Sequence, residues 1–458
     1  MESNNSSSSS LHIAMYPWFA VGHITPYLHF ANKLAQKGHK ISFLIPTKTQ
    51  LKFHHMNLFP DLITFVPITV PHVDGLPPGA ETTYDVPPPL YPLIMTAMDR
   101  TEPDIQRLLQ KLKPRFVLFD FTYWIPKLAR GLGIASMYYS VVSAVTVAYS
   151  ISKARHLSGT LSEDGLMQPP PGFPGSSITL HRHEARASIG LRATKFGGDV
   201  YFYDRIFTGL SECDAIGLKA CREIDGLFVD FLERDYGKPV LISGPVLPSR
   251  TVVSLEEKWA NWLGGFESNS VVFCALGSEV TLSKEQFREL LLGFELSGFP
   301  FLAVLRPPQG AESVEEAIPE GFEERVRGRG LVHQGWIQQQ QILEHSSIGC
   351  FVTHCGCNLL FEALVNKCEL VFLPCRGDHV YNARLMGKML KVGIEVEKGE
   401  EDGLFTRKSI CEAIKTVMEG EVGREIRANR AELRKLLLRQ DLESSYVDEF
   451  SEKLQALL

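Results

Sequence analysis

The sequence predicts an α/β protein made of two doubly wound, parallel-sheet halves that face each other across one connector. Three observations carry this expectation. Short apolar runs alternate with segments of helical apolar spacing, beginning at residues 11–45. The same alternation restarts at Val271, after the Pro-rich stretch GKPVLISGPVLPSRTVVSL at 237–255. The chain has 458 residues, 44% hydrophobic and 22% charged, which is ordinary globular usage and more than one core usually carries. That balance excludes a mainly disordered, collagen-like or coiled-coil chain.

Residues 1–10, MESNNSSSSS, read as a polar tail. Leu11 to Tyr16 opens as a buried strand, and a Pro/Gly-punctuated turn follows through Gly22. From Thr25 to Gln36, Leu28, Ala31, Leu34 and Ala35 recur at helical spacing; Gly38 supplies the stop, and Ile41 to Ile45 reads as a second strand. A strand–helix–strand unit favours a parallel sheet, because parallel neighbours need a long crossover. Arg115–Phe119 and Met137–Val142 give further strands, and residues 158–177, rich in Pro, Gly and Ser, read as loop. A linker at 246–254 separates a first domain (11–245) from a second (255–440). In the second, strands at Val271–Leu276, Phe301–Leu305, 348–353 and 369–373 alternate with helices at Lys284–Leu296, 357–366 and 380–390. Residues 308–330 read as loop. The tail from Ser409 is helical, and its last part, 441–458, is expected to pack back on the first domain. Two such domains create a cleft where both sheets present strand C-termini, a common place for a nucleotide-like ligand.

Composition narrows the function classes. A net charge of −6 gives no electrostatic footprint for nucleic acid. The nine cysteines include no CxxC pair and none occurs before Cys213, so a disulfide framework is excluded and a reducing, cytoplasmic setting fits. No basic-then-apolar leader and no run of eighteen apolar residues is found, so no membrane span is expected. No exposed heptad pattern occurs, and a monomer is the default.

Four places could carry chemistry. Gly22-His23-Ile24-Thr25-Pro26 lies where the first strand hands over to a helix, and an imidazole there can take a proton near neutral pH. Taken singly, His23 also fits an exposed loop histidine. Asp120 directly follows the strand RFVLF and would point into the same crevice, where it could orient an imidazole; alone it also fits a helix cap. Leu276-Gly277-Ser278 follows VVFCA and offers N–H groups and a hydroxyl to an anion, although GxGxxG and GxxxxGK[ST] are both absent. The fourth place is Trp336 to His379. His354, Asn358 and Glu362 are spaced by four and would line up near one helix face. Two of them suit a diphosphate near a helix N-terminus, and Glu362, a turn on, suits two vicinal hydroxyls. Trp336 can stack a flat base; it also fits a core residue, and Glu362 a solvated acid. A zinc site built from His354, Cys355, Cys357, Cys368, Cys375 and His379 lacks the expected knuckle spacing. HRHE at 181–184 reads as a surface loop, and no Asp-x-Asp triplet occurs.

WIQQQQILEHSSIGCFVTHCG from Trp336, with Asn358, Glu362, Pro374 and Asp378, resembles the signature box of plant UDP-sugar-dependent glycosyltransferases. GHITP, DFTYWIP after a strand and the LGS turn stand in that family's order, so the resemblance covers the whole chain. It implies two facing Rossmann-like domains of GT-B type with the active site between them, and inverting transfer without metal or other cofactor. By the same resemblance, His23 matches the general base and Asp120 its partner. Trp336 matches the residue that stacks on uracil, with Ile337 beside it, and Gln339 a neighbour of base and ribose. Glu362 matches the ribose carboxylate; Ser278, His354 and Asn358 match phosphate contacts; Asp378 and His379 match donor-sugar contacts. Trp18, Phe19 and Trp124 are the expected acceptor-pocket side chains. Three positions depart from the family: Cys357 for the usual Trp, Leu359 for a phosphate-binding Ser, and His379 for the Gln of glucose-using members.

The opening MYPWFAVGHITPYLHFANKLAQKGHKISFLIPTKTQ, the WIQQQQIL variant and the ending GDHVYNARLM resemble branch-forming members. These add a sugar to one already carried by a flavonoid or anthocyanin, usually making a (1→2)-linked disaccharide on a 3-O-glycoside. The implied partners are a UDP-sugar (glucose, xylose, galactose, arabinose or rhamnose) and a glycosylated flavonoid. The rival readings are transfer directly to an aglycone, a UDP-sugar epimerase on the same architecture, and an inactive nucleotide-sugar binder, which Cys357 and Leu359 would suit.

Overall fold

The computed structural model describes residues 10–157, 161–247, 254–277 and 279–458. Residues 1–9 of the expected tail, most of the 246–254 linker and Ser278 lie outside the described residues.

Two wholly parallel sheets organise the chain. The first is built from β1 (His12–Tyr16), β2 (Lys40–Pro46), β3 (Ile63–Ile68), β4 (Phe116–Phe119), β5 (Ala135–Ser140), β6 (Ala215–Leu218) and β7 (Val240–Ile242). Its spatial order is β3-β2-β1-β4-β5-β6-β7. The second contains β8 (Val271–Ala275), β9 (Phe301–Val304), β10 (Gly330–His333), β11 (Ile348–Thr353), β12 (Glu369–Phe372) and β13 (Ile394–Glu395), in the order β10-β9-β8-β11-β12-β13. The central strands are continuous apolar runs because helices cover both of their faces: FVLF of β4 and IGCFVT of β11 are buried at every position.

In each sheet the strand order turns round once, between β1 and β4 and between β8 and β11. Loops leaving adjacent strands at such a point diverge to opposite faces and open a crevice at the strand C-termini. His23 follows β1 and Asp120 follows β4. The Leu276–Gly277 turn follows β8, and His354 follows β11. The topology therefore brings four of the sequence's candidate segments to the two switch points.

The structure differs from the expected elements in places. The first helix runs Val21–Gln36, four residues earlier than its apolar spacing suggested, with Pro26 inside it. Glu163–Met167 is a short helix within the stretch read as loop. HRHE is not a surface loop: Arg182–Arg192 is a helix, His181 caps it, and Glu184 is buried, accepting hydrogen bonds from the Arg384 guanidinium at 3.0 and 3.1 Å. The final helix, Leu442–Ala456, lies against the first sheet, where Phe450 packs edge-on to Phe30 with ring centroids 4.9 Å apart.

Candidate active site

On the first sheet's side, Ala20 leaves its strand-like backbone and the helix begins at Val21, so His23 stands in the first helical turn. Its Nδ1–H donates to Asp120 Oδ2 at 2.5 Å, which leaves Nε2 as the free, basic nitrogen. The other carboxylate oxygen of Asp120 accepts the Trp18 backbone N–H at 2.5 Å. Asp120 is 1% exposed and both its oxygens are engaged, so the imidazole is held in one orientation. Burial pulls the His23 pKa down, but the Asp120 carboxylate, assisted by Glu279 and Asp378, outweighs it and leaves the pKa above its ordinary value. Phe121 presents its ring to the imidazole at 5.5 Å from a left-handed backbone (φ 48°) directly after Asp120.

Of the expected acceptor side chains, Trp18 packs against Phe121 and Phe196 beside this pair. Phe19 and Trp124 lie among other side chains of the core. Phe19 has no exposed surface, and Trp124 is buried against Tyr16 with its indole N–H donating to Asp99 at 3.0 Å. Trp18, Phe19 and Trp124 belong to one hydrophobic cluster.

On the second sheet's side, Trp336 is 80% exposed and Ile337 buried, so the indole is not the core residue that the sequence also allowed. Gln339 begins the short helix Gln339–Glu344, and its amide donates to Glu362 at 3.4 Å. Asn358 and Glu362 share a face of the helix Cys357–Leu364, but His354 does not: it precedes the helix, in a turn where Cys355 adopts φ 71°. The expected alignment of the three along one helix therefore holds for Asn358 and Glu362 alone. Burial pushes the Glu362 carboxyl up, partly opposed by Lys219. His354 and His379 sit ring to ring at 4.6 Å, and burial pushes both imidazoles down to about 3, so they are neutral near pH 7. Asp378 begins the helix Asp378–Arg384, and burial raises its carboxyl.

Contacts across the cleft involve residues that sequence reasoning missed. Pro26 has no N–H to give the Gly22 carbonyl one turn back; Asn358 Nδ2 of the second half donates to it at 3.2 Å. Lys219, directly after β6, donates to Asn358 Oδ1 at 2.5 Å. Glu279 accepts hydrogen bonds from Thr83 of the first half at 3.2 Å and from Arg376 at 2.9 Å. The signal was available for Lys219: it follows the apolar run AIGL as Asp120 follows RFVLF. Among the described residues no group of three or more His, Cys, Asp or Glu side chains is placed to hold a metal ion, and no helix is long and apolar enough to cross a membrane.

The candidate site thus combines a half-buried histidine paired with a buried carboxylate at the first sheet's switch point and, on the second sheet's side, an exposed indole, the Glu362 carboxyl and a helix N-terminus. The family model described as "UDP-glucoronosyl and UDP-glucosyl transferase" matches residues 268–435. The chain is 61% identical to a cyanidin 3-O-galactoside 2''-O-xylosyltransferase of Actinidia chinensis var. chinensis, over 98% of this chain and 99% of that one. It is 54% identical to an anthocyanidin 3-O-glucoside 2''-O-glucosyltransferase of Ipomoea nil, over 99% of each. The crystal structure of Glycyrrhiza uralensis UGT73P12, complexed with glycyrrhetinic acid 3-O-monoglucuronide, matches with a TM-score of 0.80 at 21% identity, covering 98% of this chain and 96% of that chain. The fold is the two-domain GT-B architecture, and the chain belongs to the UDP-glycosyltransferase family.

Proposed function

We propose that this protein is an inverting glycosyltransferase that moves a sugar from a UDP-sugar to a hydroxyl of the sugar already carried by a flavonoid or anthocyanin 3-O-glycoside, forming a (1→2)-linked disaccharide. One observation carries the acceptor assignment: the full-length identity to two enzymes whose names specify 2''-O transfer onto an anthocyanidin or cyanidin 3-O-glycoside. In this reading the chain divides at 246–254 into an acceptor-binding first domain and a donor-binding second domain, and it acts as a cytoplasmic monomer.

His23 Nε2 takes the proton from the acceptor hydroxyl as the oxygen attacks the anomeric carbon, and the bond from that carbon to the β-phosphate oxygen breaks on the opposite face. Asp120 stabilises the imidazolium that results. The departing UDP takes the bonding electrons, and its charge is stabilised by Ser278, His354, Asn358 and the N-terminus of the helix Cys357–Leu364. Trp336 stacks on uracil beside Ile337, Gln339 and Glu362 hold the ribose, and Asp378 and His379 hold the donor sugar. The chemistry asks nothing of a metal, so a chelator is expected to leave the rate intact; a rate that collapses and returns with added divalent ion would overturn this mechanism.

The test is a product matrix read by mass spectrometry. Purified protein meets UDP-glucose, UDP-xylose, UDP-galactose, UDP-arabinose and UDP-rhamnose, each with a flavonol aglycone, its 3-O-glucoside or no acceptor, and the winning donors also with an anthocyanidin 3-O-galactoside. A new product with the glycosides alone is expected, its mass gain identifying the sugar. Product from the aglycone alone would keep the transferase and overturn the acceptor. Conversion of donor without acceptor would mean an epimerase, and inertness throughout would overturn the transferase.

A further inference from the structure

Lys219 is out of place by ordinary energetics. Its side chain is 3% exposed, and among the described residues no carboxylate lies within ion-pair distance of its ammonium. An ammonium taken from water without a partner is costly, and it is normally neutralised or supplied with an anion. Here Nζ makes one bond, to Asn358 Oδ1, and lies 5.6 Å from the Phe361 ring centroid. Burial lowers its pKa, and Cys357, Glu362 and Glu443 act in the opposite sense. His29, another titratable neighbour, is pushed down to about 4, first by burial and then by Lys219 itself, so it stays uncharged beside the ammonium near pH 7.

The surroundings say which anion is missing. Lys219 directly follows β6 in the first half, yet its contacts are on the first two turns of the helix Cys357–Leu364 in the second. Next to Asn358 that helix carries Leu359, which is buried and offers no hydroxyl. We propose that Lys219 is a donor-binding residue reaching across the cleft: one N–H holds Asn358, and the remaining two meet the diphosphate of the UDP-sugar, supplying the hydrogen bonds that the Leu359 side chain cannot make. The inference rests on the donor site proposed above. It makes donor affinity depend on the first half, so that bound diphosphate ties the two halves together.

The experiment compares UDP with uridine by titration calorimetry on the full chain, for wild type, Lys219→Met and Lys219→Arg. Wild type is expected to prefer UDP strongly. Lys219→Met is expected to lose about tenfold or more in UDP affinity, with uridine affinity within twofold, while Lys219→Arg keeps most of the preference. In steady state, Lys219→Met should raise the donor KM more than it lowers kcat. Unchanged UDP affinity in Lys219→Met, or equal losses for UDP and uridine, would overturn the proposal and leave Lys219 a structural side chain. A wild type that does not distinguish UDP from uridine would overturn the donor site itself, and this inference with it. Melting curves for the variants keep a folding defect from passing as weakened binding.

Discussion

At the scale of single residues, the His23–Asp120 pair converts an ordinary imidazole into a directed base. A protonated His23 cannot accept a proton, and its pKa is raised, so kcat/KM is expected to rise with pH through a value above 6.5 and then level off. Replacing Asp120 with Asn removes the leading cause of the rise and leaves burial, which acts downward. The limb should therefore move to lower pH while the plateau falls; a limb that stays in place would show that Asp120 does not govern the titration. His23→Ala is expected to cost about 10²–10⁴-fold in transfer while UDP still binds, and a folded variant with unchanged turnover would remove His23 from the chemistry. His354 and His379 have the opposite sign. Their pKa values near 3 lie below the unfolded 6.5, so between those limits the unfolded chain binds more protons and stability falls on acidification. His379→Gln should flatten the decline of melting temperature between pH 7 and pH 5. Most of these residues were legible because they stand at the ends of apolar runs or inside a dense motif. Lys219 and Glu279 were missed: Lys219 also stands at the end of an apolar run, but its partner lies 139 residues away, and no local pattern encodes which strand end will face which helix.

At the scale of elements, legibility followed burial in part, for the short strand β6 is buried at every position and still passed unread. Strands β1, β4, β8 and β11 flank the switch points and announce themselves as unbroken apolar runs. β3 and β10 are edge strands, paired on one side only, with the half-buried sequences ITFVPI and GLVH. A strand that shares its surface with water has no reason to be uniformly apolar, so both passed unread. The same holds for the turns, where the geometry is set by close approach. Gly277 has φ 77°, and a Cβ there would lie 2.7 Å from His354 Cε1; one on Gly356 would lie 2.7 Å from His354 Nε2. The two glycines thus fix the imidazole between the turn after β8 and the turn after β11. Gly277→Ala combines a left-handed backbone with that clash, and is expected to cost about 1–3 kcal/mol of stability. It should also raise the donor KM by displacing His354. A variant with wild-type melting and wild-type KM would show that the turn relaxes freely.

At the scale of the whole molecule, the halves are joined by more than the cleft. Arg384 of the second half is 1% exposed between Glu184 of the first and Glu395 of its own. The chain then returns: the helix Leu442–Ala456 crosses to the first sheet and inserts Val447, Phe450 and Leu454 into the core that contains β1 and β2. Phe30 is stacked on Tyr139 at 4.8 Å and capped edge-on by Phe450 at 4.9 Å. Glu443 adds an ion pair to Lys33 at 2.6 Å and accepts the Leu247 N–H at 2.7 Å. Three buried apolar side chains contribute roughly 5–9 kcal/mol at about 1.5–3 each. That is comparable to the whole stability of a typical domain, about 5–15 kcal/mol. The last seventeen residues therefore belong to the first core in all but sequence position. Phe450→Ala is expected to cost about 3–5 kcal/mol in urea unfolding, and a chain ending at Asp441 should lose the cooperative transition of the first half. The dyad depends on that half, since His23 and Phe30 stand on the same helix, so transfer should fail together with it. A chain ending at Asp441 that melts and turns over as the full chain does would show that the terminal helix rests on the surface without completing the core.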